Sequence, residues 1–377
     1  MKIVVDLTIV RSANKITGIE RVALESMKHM VTDREFMSEH RLTLLCSKTG
    51  KSVVEAYLGL ETNQQEVALY CSPFKNRILT DQFWMPAILM KIKPDYVYYT
   101  TLGLPFLQFY KYSMIFHDAV AWAIPETMSK GMKYYYKPLL ERASHHRKLD
   151  KVITVSQFSK NEISEYLRVP KEKIHVNYLG IADVFDQAAN EQLTNESILN
   201  KYGITKKYLI SIGTLEPRKN LKGLVQAFKL IKEKYGFEGQ LVLVGRKGWI
   251  QELHIPASLM QDIILTGFVS DSELPVLLQG SEAFVFPSYY EGFGLPLIEA
   301  MSLGVPIISS NRGSLPEIGG EACYYFDPYD ANNMSRIIND VLCDTGLREE
   351  MSEQGRRRAS EFTWREHSNR LIRILSN

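Results

Sequence analysis

Short β-rich runs alternate with longer helical patterns along this chain, and the alternation starts twice. KIVVDL, LTLLC, YVYYT, SMIF, KVITV and IHVNY read as strands in the first half. YLISIG, QLVLVG, DIILTG, AFVFP and PIISS do so in the second. Several are continuous apolar runs ending in Gly, Ser or His, the form taken by parallel strands covered on both faces. Amphipathic patterns such as LKGLVQAFKLIKEKY (221–235) and LPLIEAMSLG (295–304) lie between them. The rhythm is that of doubly wound α/β sheets, two of them, and 377 residues are too many for one core. The polar stretch at 182–203 separates the two starts. We therefore expect a first domain over residues 1–181, a linking region over 182–206, a second domain over 207–360 and a charged helical tail over 361–377.

Composition narrows the class. Hydrophobic residues make up 45% and charged residues 23%, as in soluble globular chains. No apolar run reaches the ~18 residues of a membrane span, and Asp6 interrupts the first run, which reads as a strand and not as a signal peptide. Cys46, Cys71, Cys323 and Cys343 are scattered without C-x-x-C spacing, so reduced thiols in a cytoplasmic protein are expected. Residues 1–180 hold 25 Lys and Arg against 18 Asp and Glu, and the remainder 20 against 25. The basic half suggests an anionic surface or substrate there; ordinary solvated charge fits equally well. The run KGMKYYYKPLLERASHHRKLDK (130–151) mixes Lys, Arg and Tyr in a way that suits an anionic membrane interface or a solvated helix with tyrosines packed inward.

Ligands of open α/β sheets sit outside the carboxyl ends of the strands, so residues that directly follow strands carry the most information. In YYEGFGLPLIEAMSLGVPII (289–308), Glu291 and Glu299 flank a glycine-rich turn that leads into a helix. The N–H groups of Phe293, Gly294 and Leu295 favour an anion at that helix start. Two carboxylates beside a phosphate need donors, and sugar hydroxyls are donors. The layout is that of a diphosphate flanked by two polyols, as in a nucleotide sugar, although a glycine turn with two surface glutamates also fits. In SIGTLEPRKNLKGLVQAF (211–228), Arg218 and Lys219 precede a helix capped by Asn220 and can neutralise a diphosphate or form a basic surface loop. His117 follows SMIF directly and fits either a donor to a developing phosphate oxygen or a histidine tied to backbone. Gly18 opens the first helix, after Thr17. Phe268 borders a nucleobase or packs in the core. No metal-binding cluster is evident: Asp271 and Glu273 read as a capped helix start.

GTLEPRKN, LVLVGRKGW, GFVSDSELPVLLQGSEAFVFPSYYEGFGLPLIEAMSLGVPII and SSNRGSLPEIGGEA resemble the retaining glycosyltransferases of family 4, whose E-x7-E pair matches Glu291 and Glu299. TGIERV, FHDAVAW and ITVSQFSKNEI extend the likeness into the first half. The resemblance implies the GT-B architecture, two Rossmann-like domains facing each other across a cleft, with the donor on the second, the acceptor on the first and the last helix crossing back. It implies that Arg218 and Lys219 bind the diphosphate, Glu291 the sugar hydroxyls and Glu299 the ribose. His117 then lies by the transferred sugar, and Gly18 by the phosphates. The family often has two adjacent glycines where Thr17 and Gly18 stand. GRKGW and EPRKN resemble bacterial mannosyltransferases of O-antigen and capsule assembly, which favours GDP-mannose over UDP-sugars or dTDP-rhamnose. The partners expected are this donor and a glycan or lipid-linked acceptor, with an anionic membrane surface beside the first domain and no nucleic acid. No cofactor is expected, because basic side chains and helix ends would handle the diphosphate. A sugar-nucleotide 2-epimerase and a non-catalytic nucleotide-binding protein are the rival readings.

Overall fold

The computed structural model describes residues 1–11, 16–60, 67–128, 130–189, 195–246, 248 and 253–376. The chain forms two compact units, one from Met1–Gly180 with Trp364–Asn377 and the other from Ile181–Thr363.

Among the described residues the first unit holds a seven-stranded sheet of β1 (Lys2–Leu7), β2 (Arg41–Ser47), β3 (Ala68–Ser72), β4 (Tyr96–Tyr99), β5 (Lys111–Ile115), β6 (Leu149–Thr154) and β7 (Ile174–Val176). Every pairing is parallel, in the order β3-β2-β1-β4-β5-β6-β7. Both faces are covered: Ile3, Val5 and Leu7 enter one buried cluster and Val4 the other. That is why β1, Asp6 apart, is apolar from Ile3 to Leu7 without alternation. The order reverses between β1 and β4, which opens a crevice at their carboxyl ends. The last helix, Trp364–Ser376, packs on this unit through Leu371 and Leu375.

The second unit holds β8 (Tyr208–Ile212), β9 (Gln240–Val244), β10 (Ile263–Gly267), β11 (Ala283–Phe286), β12 (Ile307–Ser310) and β13 (Cys323–Phe326). They are also parallel, in the order β10-β9-β8-β11-β12-β13. Here the reversal lies between β8 and β11. The helices Leu221–Tyr235 and Leu295–Ser302 follow β8 and β11 where the apolar patterns place them. Two strands, β3 and β13, were not legible as strands, and each is an edge strand. The stretch expected to link the domains carries helices at Asp183–Ala188 and Glu196–Lys201 and groups with the second unit.

Candidate functional site

The reversal between β8 and β11 brings together the loops that carry the conspicuous charges. After β8, a single 3-10 turn, Pro217–Lys219, presents Arg218 and Lys219, and Asn220 then starts the helix in a left-handed conformation (φ 52°), its side chain accepting from the Gly223 N–H. After β11 the chain reaches Glu291. Its carboxylate accepts from Lys219 Nζ at 2.6 Å and from Arg218 Nη1 at 2.9 Å. Arg218 also donates through Nε to Glu216 at 2.9 Å and through Nη1 to the Tyr290 carbonyl. Burial acts to raise the Glu291 pKa, but Lys219 and Arg218 together overcome it and hold the carboxyl down at about 2. Burial pushes the Lys219 ammonium the other way, toward losing its proton, against the pull of Glu291. The 2.6 Å contact with a carboxylate keeps the pair ionic. Lys219 also lies 5.1 Å from the centre of the Phe286 ring.

The cations thus already hold a carboxylate each way: two positive groups face Glu216 and Glu291. The turn beyond Glu291 is fixed from a third loop. Ser314 donates from its backbone N–H to the Glu291 carbonyl at 3.1 Å, and its hydroxyl reaches the Glu291 and Phe293 carbonyls, each at 3.0 Å. Gly313 (φ 66°) lies so close that a Cβ there would stand 2.8 Å from the Glu291 N and O atoms. Gly294 (φ 98°) starts the helix Leu295–Ser302, which has no side-chain cap and carries proline in its first turn. The Phe293 side chain is buried edge-on against Phe362. Glu299 lies one turn into this helix, buried.

Phe268 follows β10 and is 46% exposed, with the Arg246 guanidinium 4.7 Å from its ring centre; it does not pack in the core. Lys247 and Trp249 of the GRKGW stretch lie outside the described residues. Among the described residues, no hydrogen bond or ring contact joins Phe268 to Glu291.

His117 and Gly18 belong to the first unit. His117 comes just after β5. Its Nε2 is buried without a hydrogen-bond partner among the described residues, and burial lowers its pKa to about 4, so the ring is neutral at pH 7. A neutral imidazole donates a hydrogen bond from one ring nitrogen and accepts one at the other. Gly18 is the first residue of the helix Gly18–Lys28. Thr17 caps it: its hydroxyl accepts from the Glu20 N–H, and Glu20 reaches back to the Thr17 N–H. This capping box is a local reason for threonine before a single glycine. Glu273 accepts from the Ser270 hydroxyl at 2.9 Å at the start of the next helix. It precedes the helix Leu274–Gln279 without a side-chain cap bond of its own and also pairs with Lys201 at 2.5 Å. Glu216, Gly313 and Ser314 are the site residues that sequence reasoning passed over. The stretch SSNRGSLPEIGGEA was noticed, but not that its Gly-Ser would grip the turn at Glu291.

Residues 16–183 match the family described as Glycosyltransferase Family 4, and residues 194–358 the one described as Glycosyl transferases group 1. The O-antigen chain mannosyltransferase B of Escherichia coli is 31% identical over 374 residues, 95% of each chain. The serotype-specific mannosyltransferase WbdA of Escherichia coli is 24% identical over 97% of this chain, which spans 46% of that protein. Among solved structures, the glycosyltransferase WaaG, involved in lipopolysaccharide biosynthesis, superposes over the whole of both chains with a TM-score of 0.72 at 14% identity. Anabaena Alr3699/HepE, crystallised with UDP and glucose, does so over 100% of this chain and 99% of its own, with a TM-score of 0.72 at 18% identity. These likenesses establish the fold as the GT-B type, two Rossmann-like domains in one chain.

Proposed function

The chain belongs to the family 4 glycosyltransferases, and on that premise we propose that it moves mannose from GDP-mannose, with retention of anomeric configuration, to a hydroxyl of a glycan or lipid-linked acceptor in bacterial surface polysaccharide synthesis. The observation that carries this is the joining of Arg218, Lys219 and Glu291 at the β8/β11 reversal beside an uncapped helix start. An oxocarbenium-like transition state needs the charge of the departing diphosphate stabilised more than it needs a strong base. Arg218, Lys219 and the N–H groups of Gly294 and Leu295 supply that stabilisation, so no divalent metal is required. Glu291 receives the hexose hydroxyls and Glu299 the ribose, while Phe268 borders the base. The diphosphate takes the acceptor proton. His117, neutral and with a free Nε2, donates to the transferred sugar, and Gly18 approaches the phosphates. GDP-mannose is preferred because the two Escherichia coli relatives named above are mannosyltransferases by name.

Slow hydrolysis of GDP-mannose, UDP-glucose, UDP-N-acetylglucosamine and dTDP-rhamnose, with and without excess EDTA, tests the reading. The expected result is preference for GDP-mannose, undiminished by EDTA. Preference for a uridine or thymidine donor overturns the donor assignment, loss of turnover restored by magnesium or manganese overturns metal independence, and an epimer formed from donor alone would mark the epimerase. No turnover of any donor would favour a nucleotide-binding protein. His117→Ala is expected to lower kcat by ~10²–10³-fold with little change in donor KM.

A peripheral site on the cytoplasmic face of the membrane follows for a lipid-linked acceptor. No helix among the described residues is long and apolar enough to cross a membrane. Phe83, Phe106, Leu107 and Tyr134 are all more than half exposed. Gln82 ties their segments together, accepting from the Phe106 N–H and donating to the Tyr135 hydroxyl. Arg142 stacks 4.0 Å from the Phe106 ring centre. Co-sedimentation with anionic vesicles but not with neutral ones is the expected result; equal, negligible binding to both ends this reading.

A further inference from the structure

Away from the transfer site, two thiols meet at the edge of the first sheet. Cys46 stands in β2 and Cys71 in β3, opposite each other in parallel register. Their Sγ atoms are 3.1 Å apart. Both side chains lie on the same face: Cys46 belongs to the buried cluster that also holds Leu371 and Leu375, and Cys71 packs against it. Neighbouring strands run about 4.8 Å apart, inside the ~4.4–6.8 Å between Cα atoms that a disulfide spans. The register thus already sets the backbone where a bond between the two sulfurs needs it.

The two thiols differ in access. Cys46 has no exposed surface, whereas Cys71 is partly exposed. Burial raises the Cys46 pKa, so that thiol does not open a reaction with a solute. Cys71 is the one a solute meets, and Cys46 already stands in contact with it.

The pair also sits where a tie has something to hold. Among the described residues β3 pairs with β2 alone, so one ladder keeps it on the sheet. The residue after Cys71 is Ser72, which is fully buried. Its hydroxyl lies 2.8 Å from the Thr80 hydroxyl and accepts from the Phe74 N–H at 3.2 Å. Ser72 thereby anchors the segment that runs on to Trp84. Within that segment Arg77 pairs with Asp81 at 2.8 Å and reaches Asp6 of β1 at 3.5 Å. Opening of β3 loosens these contacts together, and a covalent tie one residue from Ser72 opposes it.

We propose that Cys46 and Cys71 form a reversible modification site, converted to a disulfide by a low-molecular-weight disulfide such as oxidised glutathione, and that the bond locks β3 and the segment 72–84 onto the sheet. In the first step the Cys71 thiolate attacks one sulfur of the small disulfide, forms a mixed disulfide and expels one thiolate. In the second the Cys46 sulfur attacks Cys71 Sγ and expels the other. The two cysteines lose two electrons, the small disulfide gains them, and the two cysteine protons end on the two thiols released. Excess thiol runs the same steps backwards.

The full chain is incubated with mixtures of oxidised and reduced glutathione, quenched by alkylation in denaturant and mapped by peptide mass spectrometry, with hydrogen exchange followed in parallel. A Cys46–Cys71 link is expected to form as oxidised glutathione rises and to be undone by excess dithiothreitol. Exchange in residues 68–84 of the linked chain is expected to slow by about tenfold or more. The exposed Cys343 serves as the reference thiol, taking up glutathione as an adduct. Cys71→Ser is expected to give no link and no change of exchange with oxidant. Cys46→Ala should behave alike; if it fails to fold, judged by its thermal melt, Cys71→Ser decides alone. Three results overturn the proposal: a lasting glutathione adduct on Cys71 with Cys46 free, both thiols free while Cys343 carries glutathione, or a link that leaves exchange in 68–84 unchanged.

Discussion

Glu291 owes its charge to Lys219 and Arg218, and they owe their orientation to it. A carboxylate 6% exposed with no cation beside it would take up a proton. Removing one partner of a buried pair leaves the other uncompensated, at a cost of about 3–5 kcal/mol, whereas removing both costs much less. Lys219→Met is therefore expected to lower the unfolding free energy, read by urea, by the lower end of that range, because Arg218 remains. Lys219→Met combined with Glu291→Gln should recover part of the loss in stability without recovering turnover. Turnover of Arg218→Ala and of Lys219→Ala should fall about 10-fold or more, since a charge-assisted hydrogen bond contributes roughly 1.5–3 kcal/mol. Arg218→Lys should regain only part, because an ammonium cannot engage Glu216 and Glu291 together as the fork does. Near-normal turnover in both alanine variants would remove the assigned roles, and a double variant no more stable than Lys219→Met would remove the pairing argument. The residue types were legible in the sequence, because Arg218, Lys219 and Glu291 each follow a strand closely. Their mutual engagement was not, since it depends on β8 and β11 being neighbours in the sheet.

At the scale of elements, the turn 291–294 is held less by its own glycines than by the loop after β12. Gly313 permits that loop to reach it: its φ of 66° and its 2.8 Å clearance from the Glu291 backbone both exclude a Cβ. Gly313→Ala is expected to destabilise the second unit by about 1–3 kcal/mol and to lower turnover, because Ser314 can no longer grip the Glu291 and Phe293 carbonyls. Ser314→Ala keeps the backbone N–H contact, so it should lose less. A thermal melt and donor turnover for both variants check this; equal effects would show that the hydroxyl and not the close approach fixes the turn. Elements were legible where burial was two-sided. The runs that became β1, β8, β9 and β11 are mostly apolar because both sheet faces are covered. β3 and β13 lie at sheet edges; ALYCS is fully buried only at Ser72, and CYYF only at its two ends. Such short edge segments carry a weak signal. The same topology explains an unread neighbour pair: β2 and β3 bring the Cys46 and Cys71 thiols to 3.1 Å, although the sequence shows only scattered cysteines.

On the scale of the whole molecule, the chain leaves the second unit at Thr363 and returns to the first as the helix Trp364–Ser376, a return that its amphipathic pattern allowed but did not require. His367 fastens it. The ring is 1% exposed; Nδ1 lies 2.8 Å from the Tyr178 carbonyl, and Nε2 lies 2.8 Å from the Ser26 hydroxyl and 3.3 Å from Asn177 Nδ2. Nδ1 can meet the carbonyl only as a donor, so Nε2 is the acceptor for Asn177 and the ring is neutral. Burial lowers its pKa to about 4, with the Tyr178 bond opposing and His117 and Arg370 adding to the fall. The folded pKa lies below the ordinary value of 6.5, so between about 6.5 and 4 the unfolded chain binds the extra proton. The stability that neutral His367 contributes is present in full above pH 6.5 and is lost as pH falls toward 4. His117 titrates in the same window and the same direction. Glu291 acts only at lower pH, between its ordinary 4.5 and about 2. Urea unfolding at pH 7.5 and pH 5 is therefore expected to show a loss of roughly 1–3 kcal/mol from His367, with earlier hydrogen exchange in residues 364–376. His367→Gln has no titrating ring, and its stability should fall less over the same interval. An unaltered pH slope in that variant, or exchange in the last helix that ignores pH, would show that His367 is not the group that fastens it.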